Sequence, residues 1–141
     1  MEIPDIKPEI WGAGAWTFMH YVALTYPTNP TEDDRNKYHT FFHNLQFVLP
    51  CSKCAKNYSE NLSSLPLQGS LENNQQLFKW TVDMHNLVNK ESNKKQITHE
   101  EAMGIYLNQS NTEYDLYIKI GFALLIIILL FYLNKRNIFS F

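Results

Sequence analysis

Apolar residues recur at intervals of three and four along most of the chain, which is the period of an amphipathic α-helix. Thr31 and Asp34 resemble the start of one such helix, and Pro50 ends it because proline lacks an amide hydrogen. No run alternates convincingly with a period of two, so the pattern predicts an all-α fold. The strongest apolar stripe lies between these two ends and consists of Tyr38, Phe41, Phe42, Leu45, Val48 and Leu49.

The same period predicts further helices on both sides of this one. Prolines and capping residues bound these segments. Four or five short helices around one aromatic-rich core are the expected architecture of the domain, which covers residues 1–108. The other expected elements are a first helix over about residues 14–23, a third that opens at Cys51, a fourth over about residues 74–90 and a fifth after a capping box of Thr98 and Glu101.

The end of the chain has a different composition. No charged residue occurs from Ile120 to Leu133, a run of fourteen residues. A helix needs about 20 residues to cross a bilayer, and extension back to Tyr114 reaches that length although it includes Asp115 and Lys119. A buried core helix would show a polar face, and none appears in this run. We therefore predict a linker over residues 109–113, a transmembrane helix over residues 114–134 and a short tail over residues 135–141.

The orientation of this helix is judged from its flanks. Taken alone, Lys135 and Arg136 favour the cytoplasmic side for the C-terminal end, which would put the domain on the opposite side of the membrane. Two other observations favour the reverse orientation. The charged, proline-containing start of the sequence does not resemble a signal peptide, and an anchor at the C-terminal end normally leaves the preceding domain in the cytosol. We therefore expect a single-pass membrane protein with a cytosolic domain. Glycosylation sequons at Asn57, Asn61 and Asn108 would matter only in a lumenal domain.

Composition and charge exclude several classes of protein. The chain has 141 residues, of which 45% are apolar and 14% aromatic, so it can bury a core and is not disordered. Its formal net charge of -2 leaves no broad cationic surface for a nucleic acid. Two cysteines are too few for a disulfide-rich secreted scaffold, but they suffice for one disulfide or for half of a four-thiolate zinc site.

The two cysteines form a Cys51-Ser52-Lys53-Cys54 motif at the start of a predicted helix. A thiolate there meets the positive end of the helix dipole, and Lys53 and Lys56 add positive charge, so that it becomes a better nucleophile. Such a pair can close a disulfide that exchanges with external dithiols. Two alternatives stay open: a zinc site completed by a histidine or by a second subunit, and a pair of inert thiols.

Two predicted helices carry aromatic and polar residues that share a face. Trp16 and His20 are four residues apart in the first helix. His85 and Asn89 have the same spacing in the fourth, after Trp80. A core tryptophan and a satisfied histidine would explain the first pair alone, but a planar polar ligand between the helices would satisfy both pairs. Together with a redox-active cysteine pair, this combination describes a flavin site.

In order and spacing, these residues resemble the motifs of the Erv/ALR family of FAD-linked sulfhydryl oxidases, especially the members encoded by large DNA viruses. The resemblance covers about residues 10–97. It implies a cone-like four-helix bundle with a short fifth helix, usually a homodimer, with FAD at the mouth of the bundle. The matching segments are Trp11-Gly12, Trp16-Thr17-Phe18-Met19-His20, Tyr26-Pro27, Leu49-Pro50-Cys51-Ser52-Lys53-Cys54-Ala55, Trp80 and His85-Asn86-Leu87-Val88-Asn89.

The resemblance also implies roles for individual residues. Cys54 would be the flavin-proximal thiol and Cys51 the thiol that exchanges with the substrate; no metal is implied. Ala13 stands where family members often have an arginine, and the second, shuttle cysteine pair of many members is missing from this sequence. The residues that would surround FAD are Gly12, Trp16, His20, Trp80, His85, Asn86, Val88 and Asn89, with Lys90 and Lys94 near its phosphates.

The activity that the resemblance implies is the FAD-dependent oxidation of thiols. A partner protein, for example a thioredoxin-like carrier, would have its dithiol converted to a disulfide. Electrons would pass through the cysteine pair and the flavin to O2, giving H2O2. The alternative function is a non-catalytic, membrane-anchored bundle that binds zinc or acts as an adaptor. For a viral member, the membrane would be that of the host or of the virion.

Overall fold

The computed structural model of the chain describes residues 4–138, without the side chains of residues 109–115 and 136–138. The described residues form five α-helices and one short 3-10 helix, which confirms the all-α prediction. Two compact units divide the chain, residues 1–102 and residues 103–141. The α-helices are α1 (Pro8–Leu24), α2 (Glu32–Val48), α3 (Ser52–Ser64), α4 (Asn74–Glu91) and α5 (His99–Ile138), and the 3-10 helix is Gln68–Ser70.

Two helices begin at capping boxes; the sequence predicts the box at Thr98 and only a helix start at Thr31. At α2, the Thr31 hydroxyl accepts a hydrogen bond from the Asp34 amide at 3.2 Å, and the Asp34 carboxylate accepts one from the Thr31 amide at 2.9 Å. Thr98 and Glu101 make the same reciprocal pair at α5, with distances of 3.1 and 2.8 Å. Each box satisfies amide groups that the first turn of a helix leaves unpaired.

Helix α1 starts earlier than predicted, at Pro8 instead of about residue 14. Proline is favourable in the first helical turn because its missing amide hydrogen is not needed there. Ile10, a large apolar residue of this turn, is 76% exposed and is not part of a buried apolar stripe. The helical period of apolar residues therefore does not indicate this turn. Trp11 and Gly12 consequently lie inside α1.

The core of the first unit forms where α1 packs on α4 and α2 packs on α3. Two buried tyrosines satisfy their hydroxyl groups on backbone oxygens, because Tyr26 donates to Leu71 and Tyr58 donates to Phe42, each at 2.9 Å. The buried apolar residues of the four helices include Met19, Ala23, Phe42, Tyr58, Leu77, Phe78, Trp80, Val82 and Met84.

The predicted apolar stripe of α2 is only partly covered. Phe42 is fully buried, and Tyr38, Phe41 and Leu45 are half-buried. Val48 is 67% exposed, so the stripe does not pack on the core along its whole length. The neighbouring helices cover less than the width of the stripe, and the remainder is an apolar surface.

In the second unit, the stretch Leu116–Lys135 of α5 is long and apolar enough to cross a membrane, by length and composition. Its residues are all exposed except Gly121, which is half-buried. This stretch overlaps the predicted transmembrane helix over residues 114–134. The backbone of α5 includes the predicted linker over residues 109–113, but the side chains of that linker lie outside the described residues, as does the end of the predicted tail, residues 139–141.

Candidate active site

Cys51 and Cys54 are joined by a disulfide at the start of α3. Cys51 is the N-cap residue of that helix, and its sulfur accepts a hydrogen bond from the Cys54 amide at 3.2 Å. This amide and the helix dipole stabilise negative charge on the Cys51 sulfur when the disulfide opens. Cys51 is 7% exposed, whereas Cys54 is half-buried. The start of α3 therefore holds a cysteine pair that can undergo thiol–disulfide exchange.

Helices α1 and α4 bring three aromatic rings together. The indole of Trp16 lies parallel to the imidazole of His85, with ring centroids 4.2 Å apart and an interplanar angle of 5°. The ring of His20, which is buried, lies 5.5 Å from that of His85. The two residue pairs that the sequence places on separate helix faces thus contribute to one group. We call Trp16, His20 and His85 the ring cluster.

Hydrogen bonds assign the proton positions in the ring cluster. The Thr81 hydroxyl donates to the backbone oxygen of Phe78 at 2.7 Å, so its oxygen accepts from His20 Nδ1 at 2.8 Å. His20 Nε2 then accepts from His85 Nδ1, 3.2 Å away, which leaves His85 with an unprotonated Nε2. Thr81 is absent from the predicted site residues. Its spacing of four residues from His85 on α4 is the signal that could have found it.

Both imidazoles of the ring cluster are neutral at physiological pH. Burial, followed by the charge of His85, lowers the pKa of His20 to about 3. Burial, followed by the charge of Lys94, lowers the pKa of His85 to about 4. The rings therefore act as oriented hydrogen-bonding groups and flat surfaces, and not as cations.

The end of α4 places positive charge beside the ring cluster. Asn93 adopts a left-handed backbone conformation with φ of 53°, and the Lys94 amide donates to the backbone oxygen of Asn89 at 2.8 Å. This turn brings Lys94 close enough to His85 to lower the pKa of the imidazole. Within residues 4–138, neither Lys90 nor Lys94 has an ion-pair partner among the described side chains.

Other predicted site residues have structural partners. The Asn86 side chain donates to the backbone oxygen of Ile97 at 2.8 Å and accepts from its amide at 3.1 Å, so it positions the loop after α4. Trp80 is buried and donates to the backbone oxygen of Leu65 at 3.0 Å, which links α4 to the end of α3. The remaining predicted residues Gly12, Val88 and Asn89 are half-buried, whereas Ala13 is exposed.

A disulfide at a helix start and a ring cluster between two helices define the chain as an all-α thiol–disulfide redox protein. The model of the Erv1/Alr family matches residues 13–108. Because this match includes the cysteine pair and the ring cluster, and covers more than half of the sequence, the chain belongs to the Erv1/Alr family.

Individual proteins support this assignment. The probable FAD-linked sulfhydryl oxidase R368 of Acanthamoeba polyphaga mimivirus is 48% identical over 99 residues, which cover 70% of this chain and 69% of that protein. The mitochondrial FAD-linked sulfhydryl oxidase ERV1 of Saccharomyces cerevisiae is 32% identical over 91 residues, which cover 64% of this chain and 46% of that protein. The crystal structure of the FAD binding domain of Erv1 from Saccharomyces cerevisiae matches with a TM-score of 0.67 at 27% identity, over 72% of this chain and 94% of that one. The predicted family and its core fold are confirmed.

We expect the stability of the protein to fall as the pH drops below about 6.5, the usual pKa of histidine. Below this pH the unfolded chain binds protons at His20 and His85, whereas the folded protein excludes them until the pH nears about 4 for His85 and about 3 for His20. Each ring then raises the unfolding equilibrium constant by up to about tenfold per pH unit. Urea unfolding followed by circular dichroism at about pH 7 and about pH 5 measures the slope.

The control for this experiment is His43→Gln, which removes an exposed histidine of α2 that lies outside the ring cluster. His85→Gln should reduce the slope. An identical pH dependence in the wild type and in His85→Gln would contradict the assignment.

Proposed function

We propose that this protein is an FAD-linked sulfhydryl oxidase, an enzyme that forms disulfide bonds in partner proteins. The observation that carries the proposal is the Cys51–Cys54 disulfide at the N-terminus of α3. It occurs in a member of the Erv1/Alr family whose relatives are named FAD-linked sulfhydryl oxidases. The substrate is therefore a protein thiol pair, and the electron acceptor is O2.

The ring cluster and the end of α4 fit FAD by their chemistry. The parallel Trp16 and His85 rings are flat surfaces of the kind that aromatic ring systems stack on. Neutral imidazoles can bind the polar edge of such a ring system. The unpaired charges of Lys90 and Lys94 suit a pyrophosphate. The residues that would hold FAD are Gly12, Trp16, His20, Trp80, His85, Asn86, Val88, Asn89, Lys90 and Lys94.

The exchange reaction begins at Cys51. A substrate thiolate attacks the Cys51 sulfur, the Cys51–Cys54 bond breaks, and Cys54 leaves as a thiolate. The second substrate thiol loses its proton and attacks the substrate sulfur of the mixed disulfide. Cys51 then leaves as a thiolate, which the Cys54 amide stabilises. The substrate has lost two electrons and two protons, and the cysteine pair has gained the two electrons.

Bound FAD supplies the two-electron chemistry that returns the pair to its disulfide and reduces O2 to H2O2. The 141 residues contain two cysteines, so within them no second pair relays electrons to Cys51. A partner with an accessible dithiol, for example a thioredoxin-like carrier, is therefore the proposed substrate.

The alternative, a non-catalytic bundle that binds zinc or acts as an adaptor, accounts for less of the structure. Both thiols are in a disulfide. Over the described part of the chain, no group of three or more His, Cys, Asp and Glu side chains could hold a metal ion. The adaptor function also gives no reason for neutral, oriented imidazoles beside the unpaired Lys94.

We expect Cys54→Ser to abolish thiol-dependent O2 consumption, because Cys51 then has no partner with which to re-form a disulfide. The purified variant should retain its flavin, since Cys54 is not part of the ring cluster. An oxygen electrode and a visible absorption spectrum provide the two readouts. Continued H2O2 production by this variant would contradict the mechanism, and a colourless wild-type protein with stoichiometric zinc would support the alternative.

We propose that the stretch Leu116–Lys135 anchors the protein in a membrane and that the oxidase domain faces the cytosol. Length, apolar composition and exposure of the stretch support the anchor. The structure also makes the sequons informative about the orientation. Asn61 is buried and cannot carry a glycan in the folded domain, whereas Asn57 is half-buried and Asn108 is exposed.

We expect no glycan on the protein when it is expressed in mammalian cells, as judged by an unchanged gel mobility after endoglycosidase treatment. The control is the same chain fused behind a cleavable signal peptide, which should become glycosylated at Asn57 or Asn108. A glycan on the unfused protein would place the domain in the lumen.

We further propose a homodimer in which a second copy covers the apolar surface of α1 and α2. Phe18 is 59% exposed, and its ring contacts that of Phe41 edge-on, with centroids 6.0 Å apart. Val48 lies seven residues after Phe41, on the same face of α2, and is also exposed. A contiguous apolar surface on neighbouring helices is typical of a protein interface, and a two-fold axis lets one surface cover its own copy.

Phe18→Asp is expected to convert the dimer to a monomer in analytical ultracentrifugation, because it places a charge in the proposed interface. Phe47→Asp is the matched control, since Phe47 is equally large and 70% exposed but contacts His43, away from this face. A wild-type monomer, or an unchanged dimer in Phe18→Asp, would contradict the proposed surface.

A further inference from the structure

A short segment before α1 is bound to both chain neighbours of Cys51. The Ile6 amide donates to the backbone oxygen of Pro50 at 2.8 Å. The Asp5 carboxylate accepts from the Ser52 amide at 2.8 Å and from the Ser52 hydroxyl at 2.9 Å. The Trp11 indole donates to the backbone oxygen of Ile6 at 3.1 Å and holds the segment against α1. We call residues 5–6 the strap.

These bonds hold the strap next to Cys51, the residue whose sulfur must react with a substrate thiol. Pro50 and Ser52 flank Cys51, and Cys51 is only 7% exposed. Exchange requires a thiolate to approach the Cys51 sulfur, and its rate depends on access as well as on thiolate chemistry. A strap bound to both neighbours of Cys51 would hinder this approach.

We propose that the strap is a gate over Cys51 and that the bonds between Asp5 and Ser52 are its latch. The inference rests on the proposed role of Cys51 as the exchanging thiol. The Ser52 amide is one of the donors in the first turn of α3 that have no partner within the helix, and the Asp5 carboxylate provides its acceptor. Asp5 is a positioning residue: it controls access to Cys51 and takes no part in the transfer of electrons.

The gate distinguishes between classes of thiol. A small thiol such as glutathione reaches Cys51 only while the strap is open. A protein partner presents main-chain groups that can replace the strap at the Pro50 oxygen and at the Ser52 amide, so its binding can stabilise the open form. The strap thus favours protein dithiols over small thiols as reductants of the Cys51–Cys54 pair.

The test measures the rate at which glutathione reduces the Cys51–Cys54 disulfide of the purified full chain without O2, by alkylation of the released thiols and mass spectrometry. Asp5→Ala removes both latch bonds and is expected to raise the rate constant about fivefold, in proportion to the usual contribution of an N-cap side chain. Asp5→Asn keeps an acceptor oxygen and should stay within about twofold of the wild type.

Two further variants complete the experiment. Ser52→Ala loses only the hydroxyl bond and should accelerate reduction by about twofold to threefold. Glu9→Gln removes an exposed charge from the first turn of α1 without touching the strap, and should leave the rate unchanged.

An unchanged rate in Asp5→Ala would overturn the proposal. Equal acceleration in Asp5→Asn would also overturn it, because the effect would then come from the charge and not from the latch. If Asp5→Ala does not fold, Ser52→Ala decides: acceleration supports the gate and a wild-type rate overturns it. The assay needs neither flavin nor O2, so failure of the oxidase function appears separately, as absent O2 consumption by the wild type.

Discussion

The hydrogen bonds of His20 determine how α1 and α4 present the site. A buried imidazole is costly unless both of its nitrogens have partners, and Thr81 and His85 provide them at 2.8 and 3.2 Å. The Thr81 hydroxyl is itself oriented by the backbone of α4, through the oxygen of Phe78. The proton position on His20, and through it that on His85, therefore follows from the helix backbone. The neutral, flat surface that we propose for FAD binding depends on this chain of bonds.

The cysteine pair depends on a second constraint, the unpaired amides at the start of α3. The Cys54 amide donates to the Cys51 sulfur and stabilises it as a leaving group. The Ser52 amide belongs to the same turn and binds the Asp5 carboxylate. One property of a helix start thus both increases the reactivity of Cys51 and holds the strap beside it. If the proposed gate exists, reactivity towards partner proteins and protection from small thiols have a common physical origin.

The residues proposed for the oxidase reaction and the stretch proposed as a membrane anchor lie in different parts of the chain. The family match ends at residue 108, and the apolar stretch Leu116–Lys135 lies beyond it. Every residue proposed to bind FAD or to exchange disulfides lies before that limit. The apolar stretch would then decide which thiols the oxidase encounters, because a membrane anchor restricts the enzyme to partners near one surface.

The amino-acid sequence is sufficient for features that arise between near neighbours along the chain: the helical period, the helix start at Thr31, the capping box at Thr98, the cysteine pair at a helix start, and the ordered motifs that resemble the family. The exposure of individual side chains and the long-range hydrogen bonds depend instead on how the helices pack. Helix packing left Val48 exposed, because burial depends on which neighbour covers a face. It also paired His20 with Thr81 and Asp5 with Ser52, partners 61 and 47 residues apart. No local pattern carries such pairings, since a long-range hydrogen bond depends on where the fold places two backbones and not on the propensity of either residue.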